Sequence, residues 1–254
     1  MEDSKSSKVR SLETTFAIIE TIEERNGGGV TEIANEIGVA KSTVHKHLKT
    51  LELHEFVVHE GDEYHIGLRF LDHGSIARRR KKLYQVGQSE VRELANRTGE
   101  IANLVVPEHG RSIYLYVKYG PDAVSLDTYI GQREYMHTTG VGKAMLAFMD
   151  EMEVDRVVDL HGLPAETNRT ITDREELAQA LSRIKERGYA IDDQECLDGL
   201  RCVGVPVLSS ADEVVGGISL SGPTRRVTKD DIQEELADAV LRAANIVEIN
   251  MRYD

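Results

Sequence analysis

The chain has 254 residues, 40% of them hydrophobic and 30% charged, which is the make-up of an ordinary folded protein and length enough for two domains of about 100–150 residues or for one large one. The opening MEDSKSSKVR carries no apolar leader core, and no later run approaches the roughly 18 apolar residues of a membrane helix, so the expectation is a cytoplasmic protein with no membrane partner. Its net charge of −13, with 44 acidic against 31 basic residues, opposes a nucleic-acid partner unless basic side chains are concentrated locally.

The acidic balance, with Arg in excess of Lys, is also that of proteins working in concentrated salt, so a halophilic character is expected. Cys196 and Cys202 are the only cysteines. They imply neither a disulfide framework nor a structural zinc, and nothing calls for a cofactor.

The first predicted element is a helix over Ser11–Glu24, with Ser11 as N-cap and Leu12, Phe16, Ile19 and Ile22 at helical spacing. Asn26-Gly27-Gly28-Gly29 stops it, after which Thr31 is the expected cap of a short helix carrying Ile33, Ala34 and Ile37 and ended by Gly38. The turn Gly38-Val39-Ala40 leads into KSTVHKHLKTLELHEF, where Val44, Leu48 and Leu51 form an apolar stripe. FVVHEGDEYHIG then reads as a hairpin turning at Gly61-Asp62.

A helical stretch is expected from about Leu71 to Thr98, with the basic run Arg78–Lys82 and Gly99 as its stop. IANLVVPE, SIYLYVKYG and AVSLDTYIG follow as strands. YMHTTGVGKAMLAFM is a loop feeding a helix, and another helix covers Glu151–Leu160. Thr172-Asp173-Arg174-Glu175 reads as a capping box for a helix ending at Gly188. Strands follow at Tyr189–Asp192, Arg201–Leu208 and Val214–Ser221. A last helix, Lys229–Met251, is capped by Thr228 and turns Ile232, Leu236, Val240, Ala243 and Val247 inward.

Three short helices, a tight turn before the third and a hairpin after it specify a winged helix-turn-helix. The face of the third helix opposite its apolar stripe carries Lys41, Ser42, Thr43, His45, Lys46 and Lys49, with no carboxylate, in a chain otherwise rich in Asp and Glu. Hydroxyls and long donors on an exposed helix suit the major groove of double-stranded DNA, where they meet phosphates and base edges. His47 lies toward the buried side and reads as a packing residue. Lys5, Lys8 and Arg10 form an arm that either reaches a neighbouring groove or stays solvated. Arg78–Lys82 reads equally as a phosphate-contacting patch or as a solvated helix face.

The sequence resembles the IclR family of transcription regulators over nearly its whole length. The resemblance rests on SLETTFAIIETI, KSTVHKHLKTLE and YHIGLRFLDHG in the N-terminal part, and on MHTTGVGKAMLA, GYAIDDQECLDGLRCVGVPVL and GGISLSGPTRR in the C-terminal part. It implies a GAF-like α/β effector-binding domain with a six-stranded antiparallel sheet, a homodimer or dimer of dimers, and palindromic operators. It also implies a pocket for small organic acids or aromatic compounds. On this sequence that pocket takes Leu126, Gly140, Val141, Asp192, Leu200, Cys202, Ser219 and Ser221.

Where the family usually has Pro-Leu before the His of this loop, the chain has Tyr135-Met136, with Glu134 just ahead. Glu134 either points to solvent or lies beside Asp192, where it disfavours a ligand that is mainly carboxylate while both accept hydrogen bonds from hydroxyls. A hydroxylated acid or a sugar-derived ligand is therefore expected.

Enzyme motifs fail on inspection. GVGKA is no P-loop, because His137 stands where the first glycine belongs and Ala144 where the metal-binding hydroxyl belongs. GISLSG is no nucleophile elbow, because Ser221 stands where G-x-S-x-G requires glycine. His137, Cys202 and Asp192 are too sparse a set for a metal or catalytic centre, and His137 reads as ordering its loop.

The expected whole is an α+β protein of two domains and not an enzyme, with a winged helix-turn-helix over 1–72, a linker helix over 73–90 and an effector-binding domain over 91–254. The expected partners are double-stranded DNA and a small-molecule effector. The alternatives are an architectural DNA-binding protein without ligand control, and a metabolite-binding enzyme with a vestigial helix-turn-helix.

Overall fold

The computed structural model describes residues 8–253, and the chain divides into two compact units, 1–77 and 78–254. The expected linker, 73–90, straddles that division.

In the first unit, α1 (Arg10–Arg25), α2 (Val30–Ile37) and α3 (Lys41–Leu53) precede the antiparallel hairpin β1 (Val57–Glu60) and β2 (Glu63–Ile66). Asn26 takes the left-handed conformation that ends α1, and Gly38 does the same for α2. Ile18, Ile22, Ile33, Val44, Leu48, Val57 and Tyr64 make the core.

Two expected details change here. Leu12 and Phe16 are 54% and 59% exposed, because the inward face of α1 is set by Ile18 together with the expected Ile22. The caps also shift: α1 starts after Val9 without a side-chain cap. At α2 it is Glu32, not Thr31, that closes the N-terminus, accepting from the Gly29 amide at 3.1 Å.

The expected helical stretch is two helices, α4 (Arg69–Arg79) and α5 (Lys82–Thr98). Extended backbone at Lys81 separates them. Arg78 lies over the Tyr84 ring at 4.5 Å and Lys81 pairs with Glu108 at 3.3 Å, tertiary contacts that no helical period encodes.

The second unit is built on a six-stranded antiparallel sheet of order β5-β4-β3-β8-β7-β6, comprising β3 (Ile101–Glu108), β4 (Arg111–Tyr119), β5 (Arg133–Tyr135), β6 (Ala190–Asp193), β7 (Leu200–Leu208) and β8 (Val214–Pro223). AVSLDTYIG is not a strand. It runs beside β4 with the Tyr119 hydroxyl within hydrogen-bonding distance of the Leu126 and Thr128 carbonyls, 2.5 and 3.1 Å, so a side chain supplies what a strand ladder would.

One sheet face carries α5 and α10 (Ala237–Tyr253), and the other carries α6 (Gly140–Phe148) and α8 (Arg174–Arg187). The short helix α7 (Glu151–His161) adds Val158 to that second core. Alternation along the strands sorts the side chains. Ala102, Leu104, Val106, Val203, Val205, Ile218 and Leu220 pack with α5 and α10, while the intervening residues face α6.

α8 is capped by Asp173, which accepts from the amides of Glu175 and Glu176, rather than by Thr172. The expected last helix is interrupted: α9 (Lys229–Asp231), capped by Thr228, passes through a π-helical turn, Ile232–Leu236, into α10.

Candidate nucleic-acid interface and ligand cavity

α3 buries Val44, Leu48 and Leu51 and exposes Lys41, Ser42, His45, Lys46 and Lys49, with Thr43 half-buried. Its N-cap, Ala40, has no side chain to satisfy the first amides, and its first turn has no acidic residue. An uncapped helix N-terminus of this kind presents free N–H groups and the positive end of the helix dipole to an anion. Lys49 is already engaged, donating to Glu52 at 2.8 Å. That hydrogen bond raises the Lys49 pKa and lowers that of Glu52.

His47 is half-buried, with Nδ1 at 2.8 Å from the Thr15 hydroxyl, and so ties α3 to α1. In the arm, Lys8 pairs with Glu13 at 3.3 Å and Arg10 opens α1. Lys5 lies outside the described residues. The wing is acidic at its tip, where Glu60, Asp62 and Glu63 are all exposed. Of the basic run, Arg78 also donates to the Leu115 carbonyl at 3.4 Å, so Arg78 and Lys81 serve packing.

In the second unit the registers of β6, β7, β8 and β3 set up two rows across the sheet. Asp192, Cys202, Ser221 and Ile101 are successive partners in one, and Gly204, Ser219 and Asn103 in the next. The N-terminus of α6 sits directly on these rows because the strands opposite it are bare. A Cβ on Gly204 would lie 2.3 Å from the Val141 amide nitrogen, and one on Gly217 2.6 Å from the Val141 side chain.

Thr139 caps α6, accepting from the Gly142 amide at 3.0 Å. Lys143, of the GVGKA segment, points away from this end into a buried ion pair with Glu195.

Between the sheet and α6 lies a cavity of about 250 Å³. Leu126, Gly140, Val141, Asp192, Leu200, Cys202, Ser219 and Ser221 all line it. Sequence reasoning did not anticipate Asn103, Tyr114, Thr139, Glu166 and Cys196, which also line it. Asn103 was discoverable in principle, since it is the one amide in the apolar run IANLVV, and a buried polar side chain in such a run needs a partner.

Asp192 is fully buried; its Oδ1 accepts from the amides of Glu195 (2.6 Å) and Cys196 (3.3 Å), and its Oδ2 has no partner. Asn103 donates through Nδ2 to Ser219 Oγ at 3.1 Å, and its Oδ1 is likewise unpartnered. Burial pushes the Asp192 carboxyl up to about 6, against the two amides and Lys143, which hold it down. Burial also pushes the Cys196 thiol up to about 12, with the charges of Glu134 and Asp192 adding to the effect, and raises Cys202 as well. Both sulfurs are therefore protonated, apolar wall and not nucleophiles.

His137 lies outside this cavity lining. Its ring donates from Nε2 to the Pro164 carbonyl at 2.9 Å, and burial lowers its pKa.

Family models match both units: an IclR helix-turn-helix domain over residues 11–61, and the C-terminal domain of the bacterial transcriptional regulator IclR over residues 77–248. The chain belongs to the IclR family of transcriptional regulators. It is 30% identical over 248 residues to a probable HTH-type transcriptional regulator, ArcR, of Halobacterium salinarum, covering 96% of this chain and 94% of that protein.

Among solved structures it superposes on the Thermotoga maritima IclR with a TM-score of 0.75 at 27% identity, covering 95% of this chain and 96% of that one. It shares its fold, with a TM-score of 0.80 at 22% identity, with an IclR homologue from Microbacterium hydrocarbonoxydans complexed with 4-hydroxybenzoate, covering 96% and 100% of the two chains. IclR-family membership makes the protein a regulator and not an enzyme, and among the described residues no helix is long and apolar enough to cross a membrane.

Proposed function

We propose that the protein is a cytoplasmic, ligand-responsive regulator that binds specific DNA through α3 and holds its effector in the cavity beneath α6. One observation carries the reading. Two fully buried acceptors, Asp192 Oδ2 and Asn103 Oδ1, line a cavity without a partner, and an orphaned buried polar group costs about 1–3 kcal/mol. A ligand bearing donors removes that cost, with Ser219 and Ser221 contributing hydroxyls from the same strand face. The 4-hydroxybenzoate complex of the Microbacterium homologue supports small-molecule binding by this fold.

On the DNA side, Lys41, Ser42, Thr43, His45 and Lys46 make the contacting face, with Lys49 tempered by Glu52. A dimer or dimer of dimers on a palindromic operator fits the two-fold logic of helix-turn-helix proteins. The exposed Val9, Leu12 and Phe16 of the first unit support a further apolar contact there. The acidic balance and the likeness to a Halobacterium protein support function in concentrated salt, for which a DNA affinity that falls only shallowly with added salt is the mark.

The test is footprinting of the full chain on the region upstream of its own gene, with and without a panel of small organic acids, hydroxy acids and amino acids. Protection of a discrete site that a ligand abolishes or strengthens is expected. Uniform, unprotected DNA at every concentration would contradict the reading.

A further inference from the structure

The polar lining of the cavity is one-sided in charge. Asp127, Glu134, Glu166 and Asp192 line it, and no Lys or Arg does. Asp127 and Glu166 are exposed, Glu134 is half-buried and Asp192 fully buried, so the carboxylates run from solvent to the interior. Among the described residues, none of the four forms an ion pair.

The one cation that acts on Glu134, Arg111, is stacked on the Tyr135 ring at 3.6 Å. Burial raises the Glu134 pKa, and the charge of Glu166 raises it further, against a hydrogen bond from Gln132. The acidic set does not stand alone, because Asp192 Oδ2 is buried, unpartnered and part of the same lining.

A ligand closing this cavity takes water away from like charges that have no ion-pair partner among the described residues, with only Arg111 and Lys143 opposing them at longer range. A hydroxyl satisfies a carboxylate oxygen but leaves the repulsion, and a carboxylate adds to it. Only a cationic donor removes both costs. Resting on the reading of this cavity as the effector site, we propose that the effector carries an ammonium or guanidinium group seated against Glu134 and Glu166, with donors reaching Asp192. Simple mono- and dicarboxylates are then rejected. Gly140 and Val141, at the N-terminus of α6, also line the cavity, and a helix N-terminus suits one oxygen-bearing group on the same molecule, so the class is a small zwitterion.

Calorimetry of the full chain with matched probes tests this at one pH and ionic strength: 5-aminopentanoate and 4-guanidinobutanoate against 5-hydroxypentanoate and glutarate, with homologues of shorter and longer chain. The nitrogen-terminated members should bind about tenfold or more tighter than their oxygen-terminated counterparts, as charge-assisted bonds imply. Glu134→Gln and Glu166→Gln should each shrink that preference and together abolish it. Glu166 is exposed, so its variant folds whatever Glu134 contributes to β5.

Equal or tighter binding of glutarate overturns the proposal, as does a preference unchanged by both substitutions. If carboxylates bind and shift DNA affinity, the ligand class falls while the effector cavity stands. If no probe of either kind binds, both fall.

Discussion

The α3 face and the cavity are opposites. The helix presents donors, all exposed or half-buried and solvated, in a protein that is acidic overall. The cavity presents acceptors, several of them buried and two without partners. Exposed charges are individually weak and screened by salt, whereas a buried polar group is costly until it is paired. On the proposed reading, a DNA face at α3 works by the sum of many small contacts, and an effector cavity by a few groups with large individual effects. Substitutions should divide along the same line.

The largest effect is expected at the Lys143–Glu195 pair, which ties α6 to the segment after β6 that supplies Cys196 to the cavity. Glu195→Ala leaves a buried ammonium unpaired and should destabilise the fold by about 3–5 kcal/mol. Denaturant unfolding of the variant, beside a Lys143→Met/Glu195→Met double variant that removes both charges, checks it. A single variant no worse than the double would show that the pair is not buried as described.

Next comes Asp192. Its folded pKa, about 6, lies above its ordinary 3.8, so the folded state binds more protons between those values. The carboxylate then costs stability as pH rises through that window, by about 3 kcal/mol in all, and the cost disappears below it. Unfolding of the parent and of Asp192→Asn from about pH 4 to 7 should show the parent losing ground to the variant between about pH 4 and 6. A constant difference would place Asp192 in contact with solvent.

On the DNA face, Lys46→Ala and Ser42→Ala should each weaken operator binding by about 1–3 kcal/mol if they reach base edges, with folding unchanged. Lys49→Ala should cost less than Lys46→Ala, because Glu52 already neutralises Lys49. Fluorescence anisotropy on a mapped operator ranks them, and the reverse order would move the docking face along the helix. The smallest effect belongs to the wing tip. Replacing Glu60, Asp62 and Glu63 with their amides should strengthen binding slightly and steepen its salt dependence, since each removed charge faces the phosphates' own sign. No change would place the wing away from DNA.

What the sequence made legible follows the same division. The stripe Val44-Leu48-Leu51 and its donor-rich opposite face are local, set by helical period alone. So are the stops at Asn26, Gly38, Gly99 and Gly188, each in the left-handed conformation. The serines of β8 could be placed on one face by alternation, but only the resemblance joined them to Asp192 and Gly140, which lie far apart in the chain.

What was illegible depends on distant partners. Nothing in RRRKK reveals that Tyr84, Leu115 and Glu108 hold Arg78 and Lys81 where the helix breaks. AVSLDTYIG has the alternation of a strand, but Tyr119 satisfies its carbonyls and it joins no ladder. Leu12 and Phe16 share a helical period with Ile19, and only packing decides that Ile18 and Ile22 are the buried face. Glu166 reaches the cavity from a loop whose sequence resembles any solvated turn.

The most direct test joins the two regions. The full chain and Asp192→Ala are compared for affinity to the protected upstream site, each titrated with the tightest-binding small molecule from the calorimetric series. Equal affinity without ligand, with the ligand changing DNA binding of the parent and not of the variant, is the expected result. A variant that responds to ligand as the parent does would contradict the assignment of this cavity as the switch.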